Sequence, residues 1–261
     1  MLETGDWMGS RLAGSCADGR ASRLEIGHNR AVVEALRCCL VVYTKPARPG
    51  LVKTRLLGKL SAQQAASLHS AFLQDLLERM KSAAFETRLA WAVGAQESLP
   101  PSSFEAFRQT GEELGDRLFE GLSKVLTEFE LVAAVGSDHP DLPAEIVGEA
   151  FERLASGCDV VLGPAADGGY YLVGVKRRTI RRAMFSGIDW STDRVLQQTL
   201  DRCHQLGLSV EELTVVEDVD TPADLRRLAS RLAACTGPSS SATRTLLEEW
   251  GMIPVPGRTQ G

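Results

Sequence analysis

The sequence predicts an α/β protein, a three-layer α/β/α sandwich around a mostly parallel sheet. Two observations carry this. Short apolar runs alternate with longer segments of helical periodicity, the pattern of strands joined by crossover helices that cover both faces. The first apolar run, Cys38 to Tyr43, leads straight into a cationic loop, TKPARPGLVKTR, over 44–55. That loop falls at the carboxyl end of the first strand, where open α/β sheets bind ligands.

Residues 1–36 are rich in Gly, Ser, Ala and Arg without sustained periodicity. They are expected to form a loose leader with a short helix over 29–36. Asp6, Arg11, Asp18 and Arg20 interrupt the first 22 residues, which rules against a secretory signal. The folded domain is expected over 37–235, with a linker and short tail over 236–261.

After the first strand, Ser61 and Gln64 have the spacing of a capping box, in which each side chain satisfies a backbone N–H of the first helical turn. Leu68, Phe72, Leu73, Leu76, Leu77 and Met80 then recur at helical spacing, the stripe of a core-facing helix. A second strand fits 87–93. Gln109, Gly111, Leu114, Gly115, Asp116 and Arg117 form a polar, glycine-punctuated stretch before a helix over 116–126. A third strand fits 131–135, a helix follows Pro143 to about 156, and 159–162 and 170–175 read as two further strands. Ser191 or Thr192 is expected to cap a helix carrying Val195, Leu196, Leu200 and Cys203. A last strand fits 210–216, followed by a helix from Pro222, a favoured first-turn residue, to about 233. A linker over 237–242 and a small helix over 245–250 complete the reading.

The six cysteines, Cys16, Cys38, Cys39, Cys158, Cys203 and Cys235, show neither a CxxC pair nor zinc-ligand spacing. Cys38, Cys39 and Cys158 lie in or beside strand-like runs, where thiols serve as small buried hydrophobes. A reducing, cytoplasmic compartment is therefore expected. No apolar run approaches the roughly 20 residues that span a bilayer. The formal charge of −5 disfavours a nucleic-acid polymer as partner. Positive charge set locally against an acidic background fits a small phosphorylated ligand instead.

The first loop concentrates four cations, Lys45, Arg48, Lys53 and Arg55, and is stiffened by Pro46 and Pro49 and freed at Gly50. Such a loop suits gripping a diphosphate; the alternative is a solvated basic turn. Lys53 and Arg55, two apart, would face one side of an extended loop. The third strand runs into GSDHPDLP over 136–143. A carboxylate at the end of a buried strand is costly unless compensated, so Asp138 reads as a metal ligand ahead of a helix cap, while Asp141 suits a cap. Magnesium fits better than zinc, because hard oxygen ligands with open positions suit a cation that also binds diphosphate. A zinc site at His139 would need distant partners. Asp167, Gly168 and Gly169 form a turn between two strands, which also permits close approach of a ligand to the backbone. Thr221 before Pro222 suits a helix cap, with Asp224 in the first turn. Asp218 and Asp220 are left without a structural duty, and either can supply a second metal carboxylate.

The segments KPARPGLVKTRL, QTGEELGDRL, GSDHPDLP, GPAADGGYYLVG, IDWST and DVDTPADL, in this order over 37–233, resemble a bacterial glycosyltransferase family of the GT-A (nucleotide-diphospho-sugar transferase) fold, of the type associated with arsenosugar biosynthesis. More distantly they resemble molybdenum-cofactor nucleotidyltransferases and phospholactate guanylyltransferases. The resemblance implies phosphate contacts from Lys45, Lys53 and Arg55 in the loop that turns at Gly50. It implies a metal-binding, catalytic Asp138, with Asp218 as the later metal carboxylate and Asp220 as its competitor. Asp167, as a catalytic group, with Gly168, Gly169 and Tyr170 would line the sugar or acceptor side. The first loop departs from the glycine-rich LxxGxGxR form of sugar-nucleotide nucleotidyltransferases, which favours transfer from a preformed activated donor.

The expected activity is thus a magnesium- or manganese-dependent transferase using a nucleotide-diphospho-sugar. The alternative is a nucleotidyltransferase coupling an NTP to a small phosphorylated acceptor, and a third reading is a nucleotide-binding domain without turnover. The first two differ in product, free NDP against pyrophosphate.

Overall fold

The computed structural model describes residues 36–234 and 241–254. The expected leader up to residue 35, most of the linker, Cys16 and Cys235 lie outside the described residues. The strands are β1 (Cys38–Thr44), β2 (Glu86–Trp91), β3 (Ala106–Arg108), β4 (Leu131–Gly136), β5 (Val160–Pro164), β6 (Tyr170–Lys176) and β7 (Val210–Glu212). The helices are α1 (Ala62–Met80), α2 (Leu114–Val125), α3 (Ala144–Ala155), α4 (Val195–Gln205), α5 (Pro222–Ala234) and α6 (Ala242–Glu249). No helix among the described residues is long and apolar enough to cross a membrane.

The strands form one seven-stranded sheet in the order β3-β2-β1-β4-β6-β5-β7. Neighbours pair in parallel except at β6, which is antiparallel to both β4 and β5. The exception has a local cause. The turn over 165–169 closes a β5–β6 hairpin, with Ala165 N–H donating to Gly169 O at 3.0 Å and Gly168 at φ 87°, a conformation open to glycine. The predicted mostly parallel α/β sheet is therefore present, with one reversed strand.

Successive side chains of a strand point to opposite faces, and the two main cores follow that alternation. Cys38, Leu40 and Val42 of β1 and Leu131, Ala133 and Val135 of β4 pack with Leu76 and Met80 of α1 and with Phe151 and Leu154 of α3. Cys39, Val41, Val132 and Ala134 pack on the other face with Leu118, Leu122 and Val125 of α2 and Cys203 of α4. A third core joins Leu68 and Phe72 of α1 to Leu225 and Leu228 of α5 and Leu247 of α6. Each fully buried side chain of this size contributes about 1.5–3 kcal/mol. The tail is thus docked onto the core through α6.

Local signals succeed where they act within one turn. The Ser61–Gln64 capping box forms as expected. Thr221 and Asp224 cap α5 reciprocally: Asp224 N–H donates to Thr221 Oγ1 at 3.4 Å and Thr221 N–H to Asp224 Oδ2 at 2.6 Å. Two expected caps are corrected. Asp141 pairs with Arg231 at 2.9 Å, and the N-cap position of α3 is held by Pro143, with no side-chain cap. The residue before α4 is Arg194, also without a side-chain cap, while Ser191 takes a left-handed φ of 66° and Thr192 Oγ1 donates back to Asp189 O at 2.7 Å. The edge strand β3 is a three-residue element that periodicity over so short a span does not announce. The strand expected over 210–216 ends at Glu212, although Leu213 N–H and Val216 N–H still donate to Leu162 O and Pro164 O.

Candidate active site

The carboxyl ends of β1, β4, β5 and β7 lie on one edge of the sheet, because these strands run the same way. The chain leaves them at Lys45, Ser137, Ala165 and Leu213, so four widely separated segments converge there. A cleft of about 430 Å³ opens on this edge. Its described lining includes Asp138 after β4, Asp167 after β5, and Asp218 and Asp220 beyond β7. Arg55 from the first loop, Gly169 and Tyr170 at the start of β6, and Trp190 complete the parts that bear on chemistry.

The first loop is not extended. Thr54–Leu56 forms a 3-10 turn entered by Lys53 in a left-handed conformation, φ 48° and ψ 40°. This sends the two cations different ways. Lys53, expected to face phosphate, is turned inward with its side chain 2 % exposed. Its ammonium lies 2.6 Å from Asp138 Oδ1 and 3.1 Å from Asp220 Oδ1, and donates to Val219 O at 2.7 Å. Arg55 remains 65 % exposed, with Nη1 3.5 Å from Asp220 Oδ2. The Lys45 side chain is exposed and is not among the groups lining the cleft. Gly50 sits in the loop's turn at φ 79° with open space around it, also off the cleft lining. Arg48 pairs with Glu97 away from the site.

Neighbours give the carboxylates distinct states. Burial pushes the Asp138 carboxyl up, but the charge and hydrogen bond of Lys53 outweigh it and hold the group below the usual carboxylate range. Asp220 is balanced by Lys53 and Arg55. Among the described residues no ion pair reaches Asp218. Burial, then the nearby charges of Asp220 and Asp167, push its carboxyl up to about 6. Asp167 Oδ1 accepts from Gly169 N–H at 3.0 Å, which fixes the turn.

Gly168 is required by packing: a Cβ there would lie 2.2 Å from Asp193 O, and its own carbonyl accepts from Leu196 N–H at 2.9 Å. Of the expected acceptor-side residues, Asp167, Gly169 and Tyr170 line the cleft and Gly168 does not. His139 is buried, and that burial lowers its pKa. Its Nδ1 lies 3.3 Å from Glu217 O and its ring packs edge-on to Tyr171. Among the described residues no three His, Cys, Asp or Glu side chains form a group that holds a metal by itself.

A buried neighbour of Asp138, His69, and one cleft residue, Trp190, escaped the sequence reading. His69 of α1 is 4 % exposed, with Nε2 3.0 Å from Lys45 O and Nδ1 3.9 Å from Asp138 Oδ1. A carbonyl only accepts, so the hydrogen is assigned to Nε2; burial, opposed by Asp138, lowers the ring's pKa. The available signal was position: His69, Phe72, Leu73 and Leu76 share one helical face, and a polar residue on an apolar stripe is informative. Trp190, noted only within IDWST, forms a wall of the cleft. Its indole packs above Gly115, where a Cβ would approach ring atoms to 3.0 Å. Gln109, read as loop, holds the β1 and β2 ends together by donating to Thr44 O and Ala90 O at 3.2 and 2.8 Å.

The family described as "Uncharacterized protein conserved in bacteria (DUF2064)" matches residues 83–192. A structure described as a "putative nucleotide-diphospho-sugar transferase" from Desulfovibrio desulfuricans G20 is 32 % identical, with a TM-score of 0.75 over 83 % of this chain and 96 % of that one. A cytidylyltransferase from Leptospira borgpetersenii serovar Hardjo-bovis (strain JB197) shares the fold at 13 % identity, with a TM-score of 0.52 over 87 % of this chain and 99 % of that one. Among curated proteins nothing matches.

Proposed function

The chain belongs to the family of the Desulfovibrio desulfuricans G20 protein described as a "putative nucleotide-diphospho-sugar transferase", and we propose that it is itself a divalent-metal-dependent transferase acting on a nucleotide-diphospho-sugar. One observation carries the reading: Asp138 and Asp218, which has no ion pair among the described residues, share a cleft with the exposed guanidinium of Arg55.

The donor set fits magnesium or manganese. Two carboxylates, Asp138 and Asp218, with remaining positions left to water and diphosphate oxygens, suit a hard cation that needs no preformed protein cage. Asp220 is the weaker second ligand, since Lys53 and Arg55 already engage it. A cation held there would supply charge neutralisation for the leaving diphosphate. Arg55, presenting a planar fork of donors, would grip the diphosphate oxygens. Asp167, on the β5–β6 turn, would accept the proton of an attacking hydroxyl. Tyr170 and Trp190, packed edge to face at 6.4 Å between ring centroids, would wall the acceptor side.

The charge census of the cleft supports glycosyl over nucleotidyl transfer. Its described lining holds five carboxylates, Asp138, Asp167, Asp193, Asp218 and Asp220, and one guanidinium, Arg55. Arg55 and one cation suffice for a single diphosphate, whereas a phosphorylated acceptor would meet a second, purely acidic surface. The test is a product assay. The protein, with magnesium, is given a panel of NDP-sugars and of NTPs, and free NDP and pyrophosphate are measured. NDP release abolished by Asp138→Asn and by Asp218→Asn is expected. Pyrophosphate release from an NTP, with no NDP from any NDP-sugar, would refute the reading.

A further inference from the structure

Lys53 is unusual in three respects at once. Its backbone is left-handed, a conformation few non-glycine residues adopt. Its side chain is 2 % exposed, passing with Nζ 5.2 Å above the Phe72 ring. Three oxygens surround its ammonium: Asp138 Oδ1 in an ion pair at 2.6 Å, and Asp220 Oδ1 and Val219 O, to which it donates hydrogen bonds at 3.1 and 2.7 Å. Lys53 is also absent from the described lining of the cleft, so its charge is spent on these protein oxygens and not presented to a ligand.

We propose that Lys53 is a positioning residue, an internal cation that pins the Asp138 loop to the Asp220 loop and competes with a divalent cation for Asp138. This rests on the metal-dependent reading given above. The physical argument is electrostatic. Asp138 and Asp220 come from segments 82 residues apart in sequence, and their carboxylates repel unless a cation lies between them. Lys53 fills that role from inside the protein, and the strained backbone persists because these contacts over-determine it. An incoming cation that draws on Asp138 shares a carboxylate already committed to Lys53. Lys53 thereby sets the spacing of the two loops and weakens metal binding in the ligand-free state. Among the first-loop cations, Arg55 alone lines the cleft, and its long contact to Asp220 leaves the guanidinium 65 % exposed for the phosphate role.

The test is Lys53→Met, with manganese alone as probe. Affinity is read from the paramagnetic resonance of free Mn²⁺, and stability from thermal melting without ligand. The expected result is a lower metal-free melting temperature, at least a tenfold tighter Mn²⁺ affinity, and a larger manganese-induced rise in melting temperature than in the unmodified protein. If Lys53→Met does not fold, the double variant Lys53→Gln/Asp220→Asn removes a cation and a carboxylate together, and is expected to show the same gain in Mn²⁺ affinity. Unchanged melting temperature and Mn²⁺ affinity, with lost affinity for nucleoside diphosphates, would make Lys53 a phosphate ligand and overturn the proposal. A lower melting temperature without tighter Mn²⁺ binding would reduce it to a structural tie, and also overturns it. Failure of the unmodified protein and both variants to bind Mn²⁺ would overturn the metal reading itself, an outcome distinct from the other two.

Discussion

Asp75 of α1 caps a helix whose N-cap residue, Ser241, lies 166 residues later: its Oδ2 accepts from Ser241 Oγ at 2.6 Å. The same carboxylate accepts from Ala242 N–H and Thr243 N–H at 2.7 and 2.9 Å. A negative group at the first turn of α6 satisfies donors that no helix satisfies internally and complements the helix dipole. Asp75 is 6 % exposed, so this clasp holds the tail on the third core from within. Asp75→Ala is expected to cost about 3 kcal/mol, the scale of losing charge-assisted bonds and stranding their buried partners. Ser241→Ala, which removes one cap hydroxyl, is expected to cost about 1 kcal/mol. Chemical denaturation of the three proteins measures both; equal losses would contradict the clasp.

Arg55 separates chemistry from packing. It is exposed and its pair with Asp220 is long, so the pair contributes little to folding. Arg55→Ala is expected to weaken nucleoside-diphosphate binding about tenfold to a hundredfold, the worth of one charge-assisted phosphate contact, with ligand-free melting unchanged. Calorimetry and a melting curve decide; a fall in melting temperature with intact affinity would make Arg55 structural.

Asp218 predicts a pH dependence. Its folded-state carboxyl titrates at about 6 against an ordinary value of 3.8. Between those values the folded state holds a proton that the unfolded state has lost, so stability falls as pH rises through this window. Below about 4 both states are protonated, and above about 6 the folded protein carries an unfavourable charge. Asp218→Asn removes that charge. The ligand-free variant is expected to melt above the unmodified protein at pH 7.5, with the difference vanishing at pH 4. A difference independent of pH would exclude this account.

Tyr43 and Gly121 are matched in shape. Tyr43 Oη donates to Arg117 O at 3.1 Å, and a Cβ at Gly121 would lie 2.1 Å from that oxygen. Gly121→Ala is expected to cost about 1–3 kcal/mol by overpacking β1 against α2. Tyr43→Phe removes the crowded oxygen, so the double variant should lose less than the sum of the single losses. Additive losses in a denaturant series would place the clash elsewhere.

Much of the framework was legible in the chain itself. The Ser61–Gln64 box and the Thr221–Asp224 cap act within a few residues, where hydrogen-bonding geometry follows from spacing alone. Strand runs ending in a cationic loop and in GSDHP marked the functional edge, because parallel strands deliver their carboxyl ends to one side. Tertiary structure alone decided which charges meet. Lys53 turns inward because its backbone goes left-handed before a 3-10 turn, and what it finds there are Asp138 and Asp220, residues with no local relation to it. That meeting leaves Asp220 balanced and Asp218 without an ion pair among the described residues, a distinction two aspartates in DVD cannot announce. His69 and Asp75 likewise looked like two positions of one amphipathic helix. Each acquires its role from a partner distant in sequence, through contacts over a few ångströms that exist only once the sheet has formed.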